Sequence, residues 1–333
     1  MLTWPHADSD WASCLHEVEP VFIDISRAIA RHEQLIITCF DKAQRQSLQQ
    51  KFKQARIPSE AVSFFIHPSN DSWARDHGPL TVLENNQARL LDFEFNGWGG
   101  KYPAERDNQL NRALHAQGAF GATPMRHLPF VLEGGSIDSD GKGTLLTTTA
   151  CLLSPSRNPS LNKIEIEEQL GHYLGARRVL WLEHGYLQGD DTDSHIDMLA
   201  RFCNAETIAY SACNDEMDMH FTALQAMAKA LAEFRTLADE PYKLIPLPIP
   251  RAIFNSAGQR LPASYANFLI INQAVLVPQY HDPADETACE RLQAGFPDRQ
   301  IIPINCLPII QQYGSLHCLT MQLPQNVKLK HET

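Results

Sequence analysis

Hydrophobic and polar residues follow a pattern that recurs several times along the chain. Each copy consists of a short polar motif, an apolar strand, a polar turn and a second apolar strand, which is the pattern of a β-hairpin. The four clearest turns lie at Asn85, Asp140, Asn204 and Asn272. Recurrence of one such unit is typical of architectures built from structural repeats. The sequence therefore predicts a repeated hairpin.

Helical patterns fall outside the predicted hairpins. Four segments place apolar residues at helical spacing, namely 17–32, 161–174, 218–234 and 285–294. In the second segment we expect Ile164, Leu170 and Leu174 to lie on one side of the helix. The unit is then strand–strand–helix–strand, repeated about five times, which predicts an α/β fold. Such a chain closes most simply into one ring-like domain over residues 1–333, with the polar motifs at its centre.

Composition and charge narrow the class of partner. The 333 residues are 44% hydrophobic and 20% charged, as in folded globular proteins. Acidic residues outnumber basic ones by 39 to 28, giving a net charge of −11. Nucleic-acid binders usually carry a basic face, so we expect no nucleic-acid partner. The acidic balance suits a cationic small molecule better than an anionic one.

The sequence gives no indication of export or of a membrane span. Its first residues include neither the basic nor the apolar segment of a signal peptide. The longest stretch without acidic or basic side chains, 301–327, contains prolines and amides that a membrane helix tolerates poorly. The eight cysteines form no Cys-x-x-Cys pair. We expect a cytoplasmic protein, without membrane contact, whose thiols are reduced and mostly buried.

Four polar motifs occupy corresponding places in the repeat. They are Trp73-x-x-Asp76, Glu133-Gly134-Gly135, His195-x-Asp197 and the closing Gly314-Ser315-Leu316-His317-Cys318. Equivalent positions of a radial repeat face one axis, so these motifs are expected to bring together a thiol, an imidazole and three carboxylates.

The acidic cluster around His195 also has a metal-site interpretation. Hard cations and zinc take carboxylate and imidazole ligands, and the cluster offers Asp190, Asp191, Asp193, His195 and Asp197. This interpretation gives no role to Cys318 or to the Trp-x-x-Asp motif. A metal-dependent hydrolase is kept as an alternative.

Seven separated motifs resemble those of the agmatine deiminases and stand in that family's order. They lie at 70–79, 95–102, 132–136, 151–159, 189–197, 260–268 and 314–318. The family is often described as bacterial-type peptidyl-arginine deiminase and belongs to the guanidine-modifying superfamily. The resemblance covers nearly the whole chain. It implies the pentein fold, a fivefold pseudosymmetric α/β propeller around a central active site, in agreement with the repeat.

The resemblance also implies the roles of individual residues. Cys318 would be the nucleophile, and His195 the general acid and base. Asp76 and Asp197 would bind the guanidinium nitrogens. Glu133 would support His195 and the charge of the site.

Two further residues are expected at the substrate. Trp73 would line the guanidinium pocket, and Asp191 would lie near the far end of the substrate. The segment before Cys318 and the residue Ser194 depart from the family pattern, which has more glycine at both places. These departures sit on loops beside the expected substrate and affect the choice of its tail more than the chemistry.

Deimination explains why these residue types are needed. Carboxylates grip a planar guanidinium through charge-assisted hydrogen bonds and aim its carbon at a thiolate. An imidazole protonates the departing nitrogen and later activates water. The implied reaction converts agmatine and water to N-carbamoylputrescine and ammonia, a step of putrescine synthesis, and it requires no metal or organic cofactor. A homodimer is a family expectation.

Four alternatives remain open at the level of sequence. The enzyme could act on free arginine, although no cationic residue is assigned to its α-carboxylate, or on peptidyl arginine, although a protein substrate would suit an exported enzyme better. An amidinotransferase would share the thiol step but exclude water. The metal-dependent hydrolase, and a guanidine-binding protein without activity, belong to other classes.

Overall fold

The structure, a computed structural model, describes residues 1–327 and 329. Within those residues, fifteen strands form five sheets of three strands each. The strands are β1 (Leu2–Thr3), β2 (Leu35–Cys39), β3 (Val62–Ile66), β4 (Leu80–Glu84), β5 (Gln87–Glu94), β6 (Met125–Val131), β7 (Ile137–Ser139), β8 (Thr144–Thr148), β9 (Arg178–Leu182), β10 (Ala200–Asn204), β11 (Thr207–Ala212), β12 (Lys243–Pro248), β13 (Leu269–Ile271), β14 (Ala274–Gln279) and β15 (Gln300–Asn305).

Nine α-helices accompany the strands in this part of the chain. They are α1 (Leu15–Ile29), α2 (Lys42–Gln54), α3 (Ala74–His77), α4 (Gly97–Gly100), α5 (Asp107–Ala116), α6 (Thr149–Leu152), α7 (Lys163–Leu174), α8 (Phe221–Glu233) and α9 (Ala284–Gly295). Short 3₁₀ turns at Gly134–Ser136 and Ile196–Met198 stand at two of the polar motifs.

Three sheets share one topology, which confirms the repeated unit. β4 pairs antiparallel with β5, and β6 then lies parallel to β5. The sheets β7–β8–β9 and β10–β11–β12 have the same directions, and β13–β14–β15 has the same order. At the first turn Asn85 and Asn86 have φ of 52° and 64°, as tight hairpin turns require. The α/β class is confirmed, while the closed fivefold propeller stays a prediction.

The fifth sheet joins segments from far apart in the sequence. β1, β2 and β3 are parallel to one another, and Leu2 of β1 forms an antiparallel bridge with Thr320. This bridge provides the antiparallel neighbour that a hairpin provides elsewhere. A two-residue strand shows no alternation, and its neighbour is remote, so the sequence pattern revealed four copies of the unit and not the fifth.

The predicted helices form, with ends shifted by up to about three residues. The side expected of Ile164 is wrong: Ile164 of α7 is 68% exposed, whereas Leu170 is buried together with Ile166. Residues four apart lie on one face of a helix, whereas residues six apart, such as Ile164 and Leu170, do not. The capping box between Asn162 and Glu165 fixes where this helix begins.

Contacts within the chain group its residues into two compact units. The first comprises 1–134, 270–274 and the segment from Cys318 onward, and the second comprises 135–269 and 275–317. Leu90 and Phe120 are buried at the core of the first unit. In the second unit α8 packs against β11 and buries Leu224. The single domain over residues 1–333 stays a prediction.

Among residues 1–327 and 329, no helix is both long enough and apolar enough to cross a membrane.

Candidate active site

Asp76 lies in the first unit on the four-residue helix α3 and is buried. The indole nitrogen of Trp98 donates to its Oδ2 at 2.9 Å. Trp98 reaches this position through a left-handed backbone, with φ of 55°. Gly97 beside it cannot be replaced easily, because a Cβ there would lie 2.2 Å from the carbonyl oxygen of Tyr102. The glycine-rich motif at 95–102 therefore directs an indole N–H to Asp76, which is predicted to bind the substrate.

Trp73 precedes α3 and is 5% exposed. Its indole nitrogen donates to Asp71 Oδ2 at 3.1 Å, and the indole of Trp11 donates to Asp71 Oδ1 at 2.8 Å. The two indole rings lie 5.4 Å apart between centroids. Burial raises the pKa of Asp71 to about 6. Asp71 thus holds Trp73 in place, a role that the sequence analysis missed although Asp71 stands in the same motif.

Glu133 and Cys318 approach α3 through Arg75, which the sequence analysis did not assign to the site. The main-chain nitrogen of Arg75 donates to the carbonyl of Cys318 at 3.1 Å. A Cβ on Gly134 would lie only 2.2 Å from the carbonyl oxygen of Arg75, so this close approach requires glycine. Glu133 is fully buried and Cys318 is 7% exposed. Main-chain contacts of Arg75 therefore place the backbones of Asp76, Glu133 and Cys318 close to one another.

His195 belongs to the second unit and follows a tightly built loop. Asp190 organises this loop, because its Oδ2 accepts from the main chain of Ser194 at 2.7 Å and its Oδ1 from the hydroxyl of Thr192 at 2.5 Å. Burial raises the pKa of Asp190. Ser194 has φ of 65°, a backbone conformation that favours glycine. Glycine is also the residue that the agmatine deiminase pattern leads us to expect at this position. The carbonyl of Ser194 accepts from the hydroxyl of Thr148 at 2.8 Å.

Arg157, from an earlier part of the chain, stabilises the same loop. Its side chain is fully buried, pairs with the carboxylate of Asp193 and donates to the carbonyl of Thr192 at 2.9 Å. Arg157 belongs to the motif at 151–159, for which the sequence analysis proposed no role. A guanidinium can serve both acceptors because its donors form a rigid fork.

Replacing Arg157 with leucine is expected to lower kcat about tenfold and the free energy of unfolding by about 2–3 kcal/mol, because Asp193 and the Thr192 carbonyl lose their donor. Steady-state kinetics and urea unfolding measure the two effects. The matched control is Arg178→Leu, which removes bonds to Thr144 and Tyr242 in the same unit and should lower stability alone. An unchanged kcat in Arg157→Leu would contradict the loop's role.

Asp197 follows His195 on the 3₁₀ turn and is fully buried. Its Oδ2 lies 2.8 Å from Nδ1 of His317. The side-chain amide of Asn267 donates to the carbonyl of Asp197 at 3.3 Å. In the sequence His317 stands out only as the residue before Cys318, and nothing in the spacing indicates its pairing with Asp197.

A second buried thiol lies beside His195. One ring nitrogen of His195 is within 4.8 Å of the sulfur of Cys151. Asp191 is half-buried on the loop before His195, and its role at the far end of the substrate stays a prediction. Asp190, Asp193 and Asp197 accept hydrogen bonds from protein donors, and the metal-site interpretation stays an alternative.

His77, next to Asp76, provides a test of burial around α3. Burial lowers the pKa of His77 to about 3, against 6.5 for an ordinary histidine. The unfolded chain therefore binds a proton that the folded chain does not, and stability present above pH 6.5 is lost as the pH falls toward 3. Between pH 7.5 and 5 we expect His77 to contribute a loss of about 2 kcal/mol in the free energy of unfolding.

Urea unfolding of wild type and His77→Gln at the two pH values measures this contribution. The variant should lose about 2 kcal/mol less than wild type over the interval. Equal losses in both proteins would show that His77 takes up its proton in the folded state.

Comparisons with known proteins agree with the resemblance. The family model of the Porphyromonas-type peptidyl-arginine deiminases matches residues 1–324. An agmatine deiminase of Pseudomonas aeruginosa is 31% identical, with 97% of this chain and 92% of that protein covered.

Solved structures extend the agreement to the fold. A Porphyromonas gingivalis protein with the provisional name arginine deiminase is 48% identical, with a TM-score of 0.90 and 98% and 95% of the two chains covered. The agmatine deiminase of C. jejuni, solved as a cysteine-to-serine variant with substrate bound, is 36% identical, with a TM-score of 0.88 and coverage of 96% and 91%. On the extent of these matches, the chain belongs to the Porphyromonas-type peptidyl-arginine deiminase family.

Proposed function

We propose that the protein is an agmatine deiminase, a hydrolase that converts agmatine and water to N-carbamoylputrescine and ammonia. The observation that carries the proposal is the buried Asp76 carboxylate, which accepts a hydrogen bond from the Trp98 indole. Asp76 follows Arg75, whose main-chain nitrogen donates to the carbonyl of Cys318. A buried carboxylate can bind a cationic ligand through charge-assisted hydrogen bonds, and a guanidinium provides a planar cation with several donors. The relatives named agmatine deiminase support this substrate.

The first half of the reaction is assigned to Cys318 and His195. The Cys318 thiolate attacks the guanidinium carbon and forms a C–S bond, giving a tetrahedral adduct. His195 then protonates one nitrogen, the C–N bond breaks, and ammonia leaves. Asp76 and Asp197 hold the remaining guanidinium nitrogens, and Glu133 supports the charge on His195. The intermediate is a planar, cationic amidino-thioether.

Water completes the reaction. His195 takes a proton from water, and the resulting hydroxide attacks the amidino carbon to give a second tetrahedral adduct. The C–S bond then breaks to regenerate the thiolate, and the proton of the added hydroxyl leaves to solvent as the ureido carbonyl forms. The product is a ureido compound. Because the nucleophile must stay a thiol, we place the enzyme in the cytoplasm, where disulfides rarely form. All eight cysteines lack disulfides in the structure.

Free or peptidyl arginine is the second candidate substrate. The observation in its favour is the 48% identity with the P. gingivalis protein, which is higher than the identity with the C. jejuni agmatine deiminase. Free arginine carries an α-carboxylate, so it needs a cationic or neutral donor at the place where agmatine presents bare methylene. The role proposed for Asp191 at the far end of the substrate favours agmatine, because a carboxylate there would repel the α-carboxylate of free arginine and would find no amine on peptidyl arginine.

Ammonia release from agmatine, arginine and a blocked peptidyl-arginine separates the two candidates. Turnover of agmatine alone would support the proposal, and turnover of an arginine substrate alone would replace it. Asp191→Asn tests the choice directly: an agmatine enzyme should show a raised KM for agmatine, while the relative rate with arginine should rise. A homodimer stays a prediction.

A further inference from the structure

His317 and Asp197 form a buried pair whose partners the proposed reaction uses unequally. Nδ1 of His317 lies 2.8 Å from Oδ2 of Asp197, and the two residues are 3% and 0% exposed. Asp197 is a proposed guanidinium ligand, whereas the reaction assigns nothing to His317. Because an ionised carboxylate only accepts hydrogen bonds, we assign a proton to Nδ1 of His317, which then donates to Asp197.

Asn267 holds both partners by their main chains. Its side-chain oxygen accepts from the main-chain nitrogen of His317 at 2.8 Å, and its side-chain nitrogen donates to the carbonyl of Asp197 at 3.3 Å. The carbonyl of Asn267 accepts from His317 as well, at 3.2 Å. Asn267 is fully buried. One amide thus fixes the separation of the imidazole and the carboxylate, and rotation of either side chain would break the short bond between them.

We propose that His317 and Asn267 are positioning residues that fix the orientation of the Asp197 carboxylate for the guanidinium. The inference rests on the proposed function, in which Asp197 binds substrate nitrogens. A carboxylate offers about four acceptor sites, so a donor on Oδ2 leaves capacity for the N–H groups of a substrate. A carboxylate that is already fixed before binding avoids the entropic cost of ordering it in the complex.

Binding of agmatine to the Cys318→Ser enzyme provides the test, because it measures affinity without turnover. His317→Ala should weaken binding about 10- to 100-fold, the usual effect of losing a hydrogen bond to a charged group. His317→Asn can keep a donor near Nδ1 and should stay within about threefold of the parent. In active enzyme, the His317→Ala change should raise KM more than it lowers kcat.

A double-mutant cycle separates positioning from loss of structure. In an Asp197→Asn background, His317→Ala should add less than about a twofold effect, since the carboxylate that it positions is gone. An equal loss in both backgrounds, or unchanged binding in His317→Ala, would overturn the inference. The Asn267→Ala variant is expected to follow His317→Ala in the same cycle.

Failure of the proposed function gives a different result. If wild-type enzyme releases ammonia from arginine and not from agmatine, the proposed function is wrong and arginine is the substrate. The same cycle run with arginine would still decide the inference. Wild-type enzyme that binds neither agmatine nor arginine would overturn both. The ¹⁵N-detected Nδ1–H resonance of His317 gives an independent readout and should move strongly on Asp197→Asn.

Discussion

Replacing Cys318 with alanine is expected to reduce ammonia release from agmatine by about 10⁴-fold or more, the usual effect of removing a catalytic nucleophile. The thiolate forms the bond that makes ammonia a leaving group, and water alone attacks a guanidinium very slowly. Cys318 is 7% exposed, and the contact of its carbonyl with Arg75 does not depend on the side chain. The variant should therefore fold as the wild type does and still bind agmatine.

The matched control for this experiment is Cys39→Ala. Cys39 is a buried cysteine of the same unit, and burial raises its pKa to about 12, so it stays a protonated thiol. Its removal should cost stability and leave the activity per folded molecule unchanged. Acid quenching during turnover, followed by mass spectrometry, should find the amidino group on the peptide that contains Cys318. Wild-type rates in Cys318→Ala that are lost on adding a chelator would instead favour the metal-dependent hydrolase.

The elements that follow from local pattern could be predicted from the sequence. Hairpins such as β4–β5 carry their alternation and their turn residues in one short segment, and α8 and α9 carry helical spacing. The sheet that pairs Leu2 with Thr320 could not be predicted, because its parts are remote in the sequence. Local periodicity reports which residues share a face of one element, and it contains no information on pairing over such a separation.

The candidate site shows the same division between local and remote information. The roles expected of Asp76, His195 and Cys318 come from the resemblance of their motifs to the agmatine deiminases, because each residue taken alone is also common in an ordinary core or turn. The residues that hold them are less visible. Trp98 reaches Asp76 only through a left-handed backbone, and Arg157 acts on a loop that lies more than thirty positions later in the chain. Their side chains would serve equally well in an ordinary core or ion pair, so residue type alone does not reveal them.

Asp76→Asn is expected to lower kcat/KM for agmatine by about 10²- to 10³-fold, because a buried charge pair with the guanidinium loses one member. The asparagine keeps an oxygen that can accept from the Trp98 indole, so the local fold should survive. The loss should appear mainly in KM if Asp76 only binds the substrate, and in kcat as well if it also orients the carbon toward the thiolate. Asp138→Asn, which weakens bonds to Arg201 and Phe202 in the second unit, controls for loss of stability alone.

Trp98→Phe separates the charge of Asp76 from its orientation. Phenylalanine keeps most of the ring packing against Phe95 and Tyr102 but removes the N–H that reaches Asp76 Oδ2 at 2.9 Å. We expect a loss of about 10- to 100-fold in kcat/KM, since hydrogen bonds to charged groups contribute about 1.5–3 kcal/mol. In the Asp76→Asn background the same change should have little effect on kcat/KM, because the negative charge that the Trp98 indole orients is then absent. Additive losses in the double variant would mean that Trp98 contacts the substrate independently, and the glycine-rich motif around it would then belong to the guanidinium pocket and not to the support of Asp76.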